Sequence, residues 1–131
     1  ATTVEPFNGA STGTGGEIRD RMCGGKGSLP LSGSAVYITS YPRLEKDQKL
    51  SPAKLDPRPW LYQSPQEILT KASDGASDFG NKFGQPLING SLRTFEHQEG
   101  ADSTLYGYDK VIMLAGGMGY APQEDAKKET P

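Results

Sequence analysis

The twelve residues from position 9 to position 20 set the expectation for the first part of the fold; they read Gly9-Ala10-Ser11-Thr12-Gly13-Thr14-Gly15-Gly16-Glu17-Ile18-Arg19-Asp20. Thr14 and Glu17 have the spacing of a capping box, in which each side chain accepts a hydrogen bond from the other residue's backbone N–H. Glycine costs about 1 kcal/mol relative to alanine inside a helix. Two glycines directly after Thr14 therefore indicate that something approaches the backbone closely. The pattern predicts a helix from Gly15 to about Cys23.

A helix that begins at Thr14 would present unpaired N–H groups and a positive dipole end to a ligand, which suits a phosphate. Our hypothesis from the residues is a phosphate cradle that opens this helix. Two established glycine patterns are absent: Asp20 stands where a P-loop around Gly25-Lys26 needs its first glycine, and Ile18 stands where a dinucleotide fingerprint needs its third. The alternative is a flexible, glycine-rich connection.

Composition limits the function classes. The chain has 131 residues, which is one domain's worth, and a formal net charge of -2. This charge gives no electrostatic footprint for nucleic acid or an anionic membrane, so we expect neither as a partner. Cys23, the single cysteine, excludes an internal disulfide and is expected to be a small buried residue rather than a nucleophile. A reducing, cytoplasmic compartment is the expectation.

Further along the chain, the pattern predicts one more helix and three strands. Ser64 as N-cap, Pro65 and Glu67 form a capping box, and the apolar periodicity runs from Ile68 to Phe83. Strands are predicted over 32–41, over 86–97 and over 108–115. In the last strand residues 111–114 are expected to be buried, and the segment Gly116-Gly117-Met118-Gly119 is expected to end it. Polar loops are predicted over 43–58 and 98–107, with 60–62 anchoring the end of the first loop.

The predicted elements give an α/β sandwich (an α+β arrangement), with helices on one face of a mixed or antiparallel sheet. Residues 1–120 are assigned to one partial domain, and 121–131 to a polar tail or linker. The strands are few, which we attribute to a missing strand before Ala1. His97 is expected to be a solvated strand end rather than a ligand or a base.

Three segments together resemble the phosphoribosylformylglycinamidine synthase family in order and approximate spacing. They are PFNGASTGTGGEIRD at 6–20, DGASDFGNKFGQP at 74–86 and VIMLAGGMG at 111–119. The resemblance implies the fold of the N-terminal domain of aminoimidazole ribonucleotide synthetase, truncated at its start. It also implies a carbon–nitrogen ligase of de novo purine biosynthesis. This ligase uses ATP, Mg²⁺ and ammonia from glutamine to convert formylglycinamide ribonucleotide to the amidine.

The resemblance also implies where the nucleotide is contacted. The ATP-contacting segment matches Gly9, Ala10, Ser11, Thr12, Gly13, Thr14, Gly15, Gly16, Glu17, Ile18, Arg19 and Asp20, and a second nucleotide contact matches Asn89, Gly90 and Ser91. Arg93 shares the face of Asn89 and Ser91 by strand alternation. It is our candidate for a substrate phosphate, with a plain surface arginine as the alternative.

The family's histidine-containing motif, its Mg²⁺-binding carboxylates and its glutaminase domain match nothing in this sequence. We therefore expect no catalytic residue and no metal ligand here, an inactive fragment on its own, and the remaining domains of a parent chain as partners. Two other readings stay open. One is a stand-alone phosphate- or nucleotide-binding module without catalysis; the other is a fragment that self-associates through an exposed sheet edge.

Overall fold

The computed structural model describes residues 1–44, 63–100 and 104–127. In chain order its elements are α1 (Pro6–Met22), β1 (Leu29–Thr39), α2 (Pro65–Lys82), β2 (Leu87–Thr94), β3 (Glu96–Glu99), β4 (Thr104–Gly107) and β5 (Ile112–Tyr120), followed by a one-turn 3₁₀ helix (Gln123–Ala126). Residues 45–58 of the loop predicted over 43–58, and the anchor at 60–62, lie outside the described residues.

The main sheet is mixed, as the sequence predicts. Its strand order is β2-β1-β5, with β2 parallel to β1 and β5 antiparallel to it. Among the described strands β1 is central, while β2 and β5 form the edges. A separate two-stranded hairpin pairs β3 with β4.

Both helices pack on one face of the main sheet, which confirms the predicted layering. The core there consists of Ala10 from α1, Ala35 and Tyr37 from β1, and Ala72 and Ala76 from α2. Because four of these five are alanine, the helices and the sheet approach one another closely. The other face of the sheet carries the alternate β1 residues and has no helix on it among the described elements.

Helix α2 begins as predicted. The Ser64 hydroxyl accepts from the Glu67 N–H at 3.3 Å, and the Glu67 carboxylate accepts from the Ser64 N–H at 2.9 Å. The helix continues unbroken through Gly75 and Gly80 to Lys82. A side chain at Gly75 would collide with the Phe7 carbonyl of α1, so this glycine is required by the close crossing of the two helices.

Helix α1 does not begin where the sequence predicted. It starts at Pro6, with Glu5 as N-cap. Residues 9–14, which were expected to precede the helix, therefore lie within it. Thr14 is therefore an interior residue and not an N-cap, and the capping box with Glu17 is absent. The prediction failed because tertiary contacts override the low helix propensity of glycine. The sequence did hold a signal for the true start, since proline favours the first helical position.

The later strands also differ from the prediction. β2 ends at Thr94, and the chain then forms the β3–β4 hairpin, part of which falls in the predicted loop over 98–107. A register irregularity pairs Gly33 with Leu87 but Ser34 with Asn89. Leu87 therefore packs against the core instead of sharing the Asn89 face.

β5 extends through the glycines that were expected to end it. A side chain at Gly117 would lie 2.6 Å from the Ser32 carbonyl oxygen, so glycine permits the close pairing with β1. The predicted burial of 111–114 holds for Val111, whereas Ile112 and Leu114 are exposed.

Within the predicted polar tail, the 3₁₀ helix returns to the loop after α1. The Asp125 carbonyl accepts a hydrogen bond from the Lys26 N–H at 2.8 Å. No described helix is long and apolar enough to cross a membrane.

Candidate functional site

Three of the four glycines in the stretch 9–20 are explained by packing inside the chain. A Cβ at Gly9 would lie 2.7 Å from the Thr2 nitrogen, and one at Gly15 would lie 2.6 Å from the Phe79 ring. A Cβ at Gly13 would lie 3.2 Å from the Met113 sulfur, which is a tight contact. The glycines thus bring α1 close to its neighbours, a reason different from the phosphate cradle inferred from sequence.

Gly16 is the exception, because a Cβ there would meet no atom of the described residues within 4 Å. It lies on one face of α1 with Thr12, Arg19 and Asp20, which are three or four residues away and exposed. A glycine in the middle of a helix costs about 1 kcal/mol relative to alanine. The described structure gives no packing reason for that cost at Gly16.

The opposite face of α1 is unavailable to a ligand. Ala10, Thr14, Gly15 and Ile18 are buried against the rest of the fold. The implied ATP-contacting segment therefore divides into a packed half and an exposed half. Its backbone N–H groups from the second turn onward are also used within the helix, so a ligand meets side chains and Cα atoms rather than a helix end.

Glu17 has a structural role that the sequence did not reveal. Its carboxylate accepts from Arg21 Nε at 2.8 Å and from the Gln85 side-chain amide at 2.6 Å. Arg21 also donates to the Gln85 side-chain oxygen and to the Met118 carbonyl. This network joins α1 to the end of α2 and to β5, and Gln85 in it is almost fully buried.

The described residues do not offer a Mg²⁺ site. No group of three histidine, cysteine, aspartate or glutamate side chains among them is placed to hold a metal ion. Glu17 is engaged by Arg21 and Gln85, which leaves Asp20 as the exposed carboxylate of the stretch.

The second implied contact lies elsewhere in the fold. Asn89, Ser91 and Arg93 pair with Ser34, Val36 and Ile38, which belong to the face of the sheet away from the helices. Gly90 pairs with Ala35 on the helix side, and its missing side chain lets β2 approach the Ala35 carbonyl. Arg93 thus shares a face with Asn89 and Ser91 as predicted. The structure does not bring this face together with the exposed face of α1.

Among single side chains, one prediction was wrong and one unusual residue was not predicted. Cys23 was expected to be buried, but it is exposed, because α1 ends at Met22 and Cys23 is its C-terminal cap. Tyr37 was not singled out from the sequence, yet its hydroxyl is buried with no hydrogen-bond partner among the described residues. Burial raises the pKa of this phenol above its ordinary value.

The chain was compared with known proteins. No family model matches it. It is 39% identical over 132 residues to phosphoribosylformylglycinamidine synthase of Drosophila melanogaster, and 42% identical over 136 residues to the enzyme of that name from Schizosaccharomyces pombe. The enzyme of that name from Homo sapiens is 38% identical over 136 residues. These matches cover 98–99% of the chain.

The chain is homologous to one segment of the phosphoribosylformylglycinamidine synthases. It spans about a tenth of the length of the curated relatives it matches. The resemblance seen in the sequence is therefore confirmed as a relationship of nearly the whole chain to a small part of a much longer enzyme.

Proposed function

We propose that this chain is a segment of a phosphoribosylformylglycinamidine synthase and contributes an ATP contact to it. In that enzyme ATP, glutamine and formylglycinamide ribonucleotide would be converted to formylglycinamidine ribonucleotide in the cytoplasm. The fold would be that of the N-terminal domain of an aminoimidazole ribonucleotide synthetase. Support comes from the curated relatives, which carry the enzyme's name over nearly the full chain.

The ATP contact is assigned to the exposed face of α1, namely Thr12, Gly16, Arg19 and Asp20. The observation that supports this assignment is the space around Gly16. A Cβ at this mid-helix position would meet no atom of the described residues within 4 Å. A glycine there lets a ligand approach the helix backbone, and Arg19 lies beside it as a cation for a phosphate.

Mg²⁺ ligands and the catalytic groups are assigned to other parts of the parent chain, so this segment alone is inactive. Asn89, Gly90 and Ser91 would form the second nucleotide contact and Arg93 would face the substrate phosphate.

The test is a calorimetric titration of the 131-residue chain with Mg-ATP, beside the variant Gly16→Ala. We expect saturable binding in the parent chain and about tenfold weaker binding in the variant, because the added methyl group separates ligand and backbone. The control is Thr70→Ala on the exposed surface of α2, which also raises helix propensity but leaves the residues of the proposed contact on α1 unchanged. Equal affinity in the parent chain and in Gly16→Ala would refute the assignment.

A second candidate function is self-association without catalysis. Three apolar residues of β5 lie on the sheet face that carries none of the described helices, since they pair with Ile38, Val36 and Ser32. They are Ile112, Leu114 and Met118, which are 41%, 56% and 63% exposed. Apolar side chains in this arrangement favour an interaction surface. The open edge of β2, or of β5, would allow two copies to pair.

A further inference from the structure

The two arginines of α1 are held in different ways. Arg21 Nη2 lies 2.6 Å from the Glu17 carboxylate, and Arg21 also donates to Gln85, so its charge and its donors are used inside the fold. The Arg19 guanidinium lies instead over the Phe79 ring, 5.9 Å from its centroid. The face of an aromatic ring attracts a cation within about 6 Å, and it occupies none of the N–H donors of the guanidinium. Arg19 is thus oriented by a contact that neither neutralises its charge nor uses its donors.

The Phe79 ring is itself held by two contacts. It is stacked on the Phe83 ring, with the ring centroids 5.1 Å apart and an angle of 11° between the planes. Its outer edge lies against the backbone of α1 at Gly15, where a Cβ would be 2.6 Å from Phe79 Cζ. The missing side chain of Gly15 therefore lets an aromatic ring of α2 enter the surface of α1. A ring fixed in this way can orient a flexible side chain that lies over it.

The position of the Arg19 side chain connects this ring to the proposed ATP contact. Side chains of a helix lean towards its N-terminus, so the exposed side chain of Arg19 covers the turn that contains Gly15 and Gly16. The Phe79 ring lies on the Gly15 side of this turn, whereas a Cβ at Gly16 would meet no atom of the described residues within 4 Å. An unrestrained arginine has large rotamer freedom, which a ligand would have to remove on binding. The ring contact restricts this freedom beside the face on which the ATP contact is proposed.

We propose that Phe79 is a positioning residue for the ATP contact: its ring holds the Arg19 guanidinium in the orientation in which it donates to a phosphate group of the nucleotide. This inference rests on the proposed function, because it needs a nucleotide phosphate at the exposed face of α1. It gives the two neighbouring glycines different parts in one site. Gly15 admits the ring that orients the cation, and Gly16 admits the ligand.

The test is a double-mutant cycle on the Mg-ATP affinity of the 131-residue chain, measured by calorimetry and built from Phe79→Leu and Arg19→Gln. We expect Phe79→Leu to weaken Mg-ATP binding about two- to fivefold, the range that an exposed cation–π contact supplies. In the Arg19→Gln background the same exchange should leave the affinity unchanged, because no cation remains to be oriented. A ring that only supports the fold would change the affinity equally in both backgrounds. Phe79→Tyr keeps the ring and should retain the affinity of the parent chain.

A second readout needs no nucleotide. The side-chain N–H signal of Arg19 in the isotope-labelled chain should be shifted upfield by the Phe79 ring current, and Phe79→Leu should abolish this shift while Phe79→Tyr keeps it. The dispersed amide spectrum of the same samples shows that each variant is folded. The matched control is Phe95→Leu, the same exchange at a ring in edge contact with Tyr108 on the β3–β4 hairpin. It should leave both the Arg19 signal and the Mg-ATP affinity unchanged.

The possible failures of the inference and of the proposed function differ. If Arg19→Gln weakens Mg-ATP binding but Phe79→Leu keeps full affinity, the positioning role is overturned and the ATP contact stands. The positioning role is also overturned if Phe79→Leu weakens binding equally in both backgrounds, or if it leaves the Arg19 signal where the parent chain has it. A parent chain that binds no Mg-ATP, or full affinity in Arg19→Gln, would instead refute the assigned ATP contact, and the positioning role with it.

Discussion

At the scale of single residues, Gly15 and Gly16 are neighbours in sequence but meet opposite surroundings. A Cβ at Gly15 would meet the Phe79 ring. This ring is stacked on Phe83, with ring centroids 5.1 Å apart, and the Arg19 guanidinium lies 5.9 Å from the Phe79 centroid. The ring therefore has little freedom to move away from an added methyl group. Gly16, in contrast, has no neighbour in the described part of the chain that an added methyl group would touch.

We expect the two alanine variants to change stability in opposite directions. Gly16→Ala should raise the free energy of unfolding by up to about 1 kcal/mol through helix propensity. Gly15→Ala should lower it by about 1–2 kcal/mol, because overpacking costs more than the propensity supplies. Urea denaturation of the two variants beside the parent chain measures both values. A gain in stability at Gly15 would show that Phe79 yields and that the packing role of this glycine is wrong.

At the scale of elements, helix α2 has a start that depends on pH. Hydrogen bonds from the backbone N–H of Ser64, and then from its hydroxyl, lower the pKa of the Glu67 carboxyl below its ordinary value of 4.5. The ionised form is thus favoured by folding. Its contribution to stability is present above the unfolded pKa and is lost as pH falls through the folded pKa.

Ser64→Ala should lower the free energy of unfolding by about 1 kcal/mol at neutral pH, the usual effect of a lost N-cap. The difference from the parent chain should shrink as pH falls below the ordinary value of 4.5 and through the lowered pKa of Glu67, where the carboxyl becomes protonated. Thermal unfolding from pH 7 to pH 3 measures this trend. Glu67→Gln, which keeps hydrogen-bonding capacity but has no charge, is the control and should lack the acid dependence. A pH-independent difference for Ser64→Ala would contradict the capping role of the carboxylate.

How well each element could be predicted depended on whether its signal was local. The α2 start was predictable because Ser64, Pro65 and Glu67 are adjacent and form the cap among themselves. The α1 start was not, because its glycines are tolerated only through contacts with distant residues such as Phe79 and Met113. The β3–β4 hairpin was missed because its strands are only four residues long and largely exposed, so they show no buried alternation.

The candidate site was predictable in the same unequal way. The sequence pointed to the stretch 9–20, on which the proposed ATP contact lies, and to the shared face of Asn89, Ser91 and Arg93. It could not separate Gly16 from Gly15, since only the packed structure shows which glycine faces open space. It also could not predict that Gln85, 68 residues away from Glu17, holds that carboxylate.

At the scale of the whole molecule, the layers are unequal. One face of the sheet is covered by two helices, and the other exposes apolar side chains of β5 among the described residues. Exposed apolar area of this kind is stabilised by contact with another surface. In the long relatives this segment makes up about a tenth of the chain, so much further surface is present beside it. For the isolated chain, further copies of itself are available to cover that face.

We therefore expect the isolated chain to associate in a concentration-dependent way, and Leu114→Lys to shift it towards the monomer. A lysine at the centre of an apolar contact would have to be desolvated in the dimer but stays hydrated in the monomer. Sedimentation velocity over a concentration series measures the shift. The control is Leu105→Lys on the β3–β4 hairpin. Leu105 is 48% exposed, similar to the 56% of Leu114, but it lies outside the main sheet, so its replacement should leave association unchanged. Equal effects of the two lysines would place the contact elsewhere, and a parent chain that stays monomeric throughout would exclude the self-associating reading.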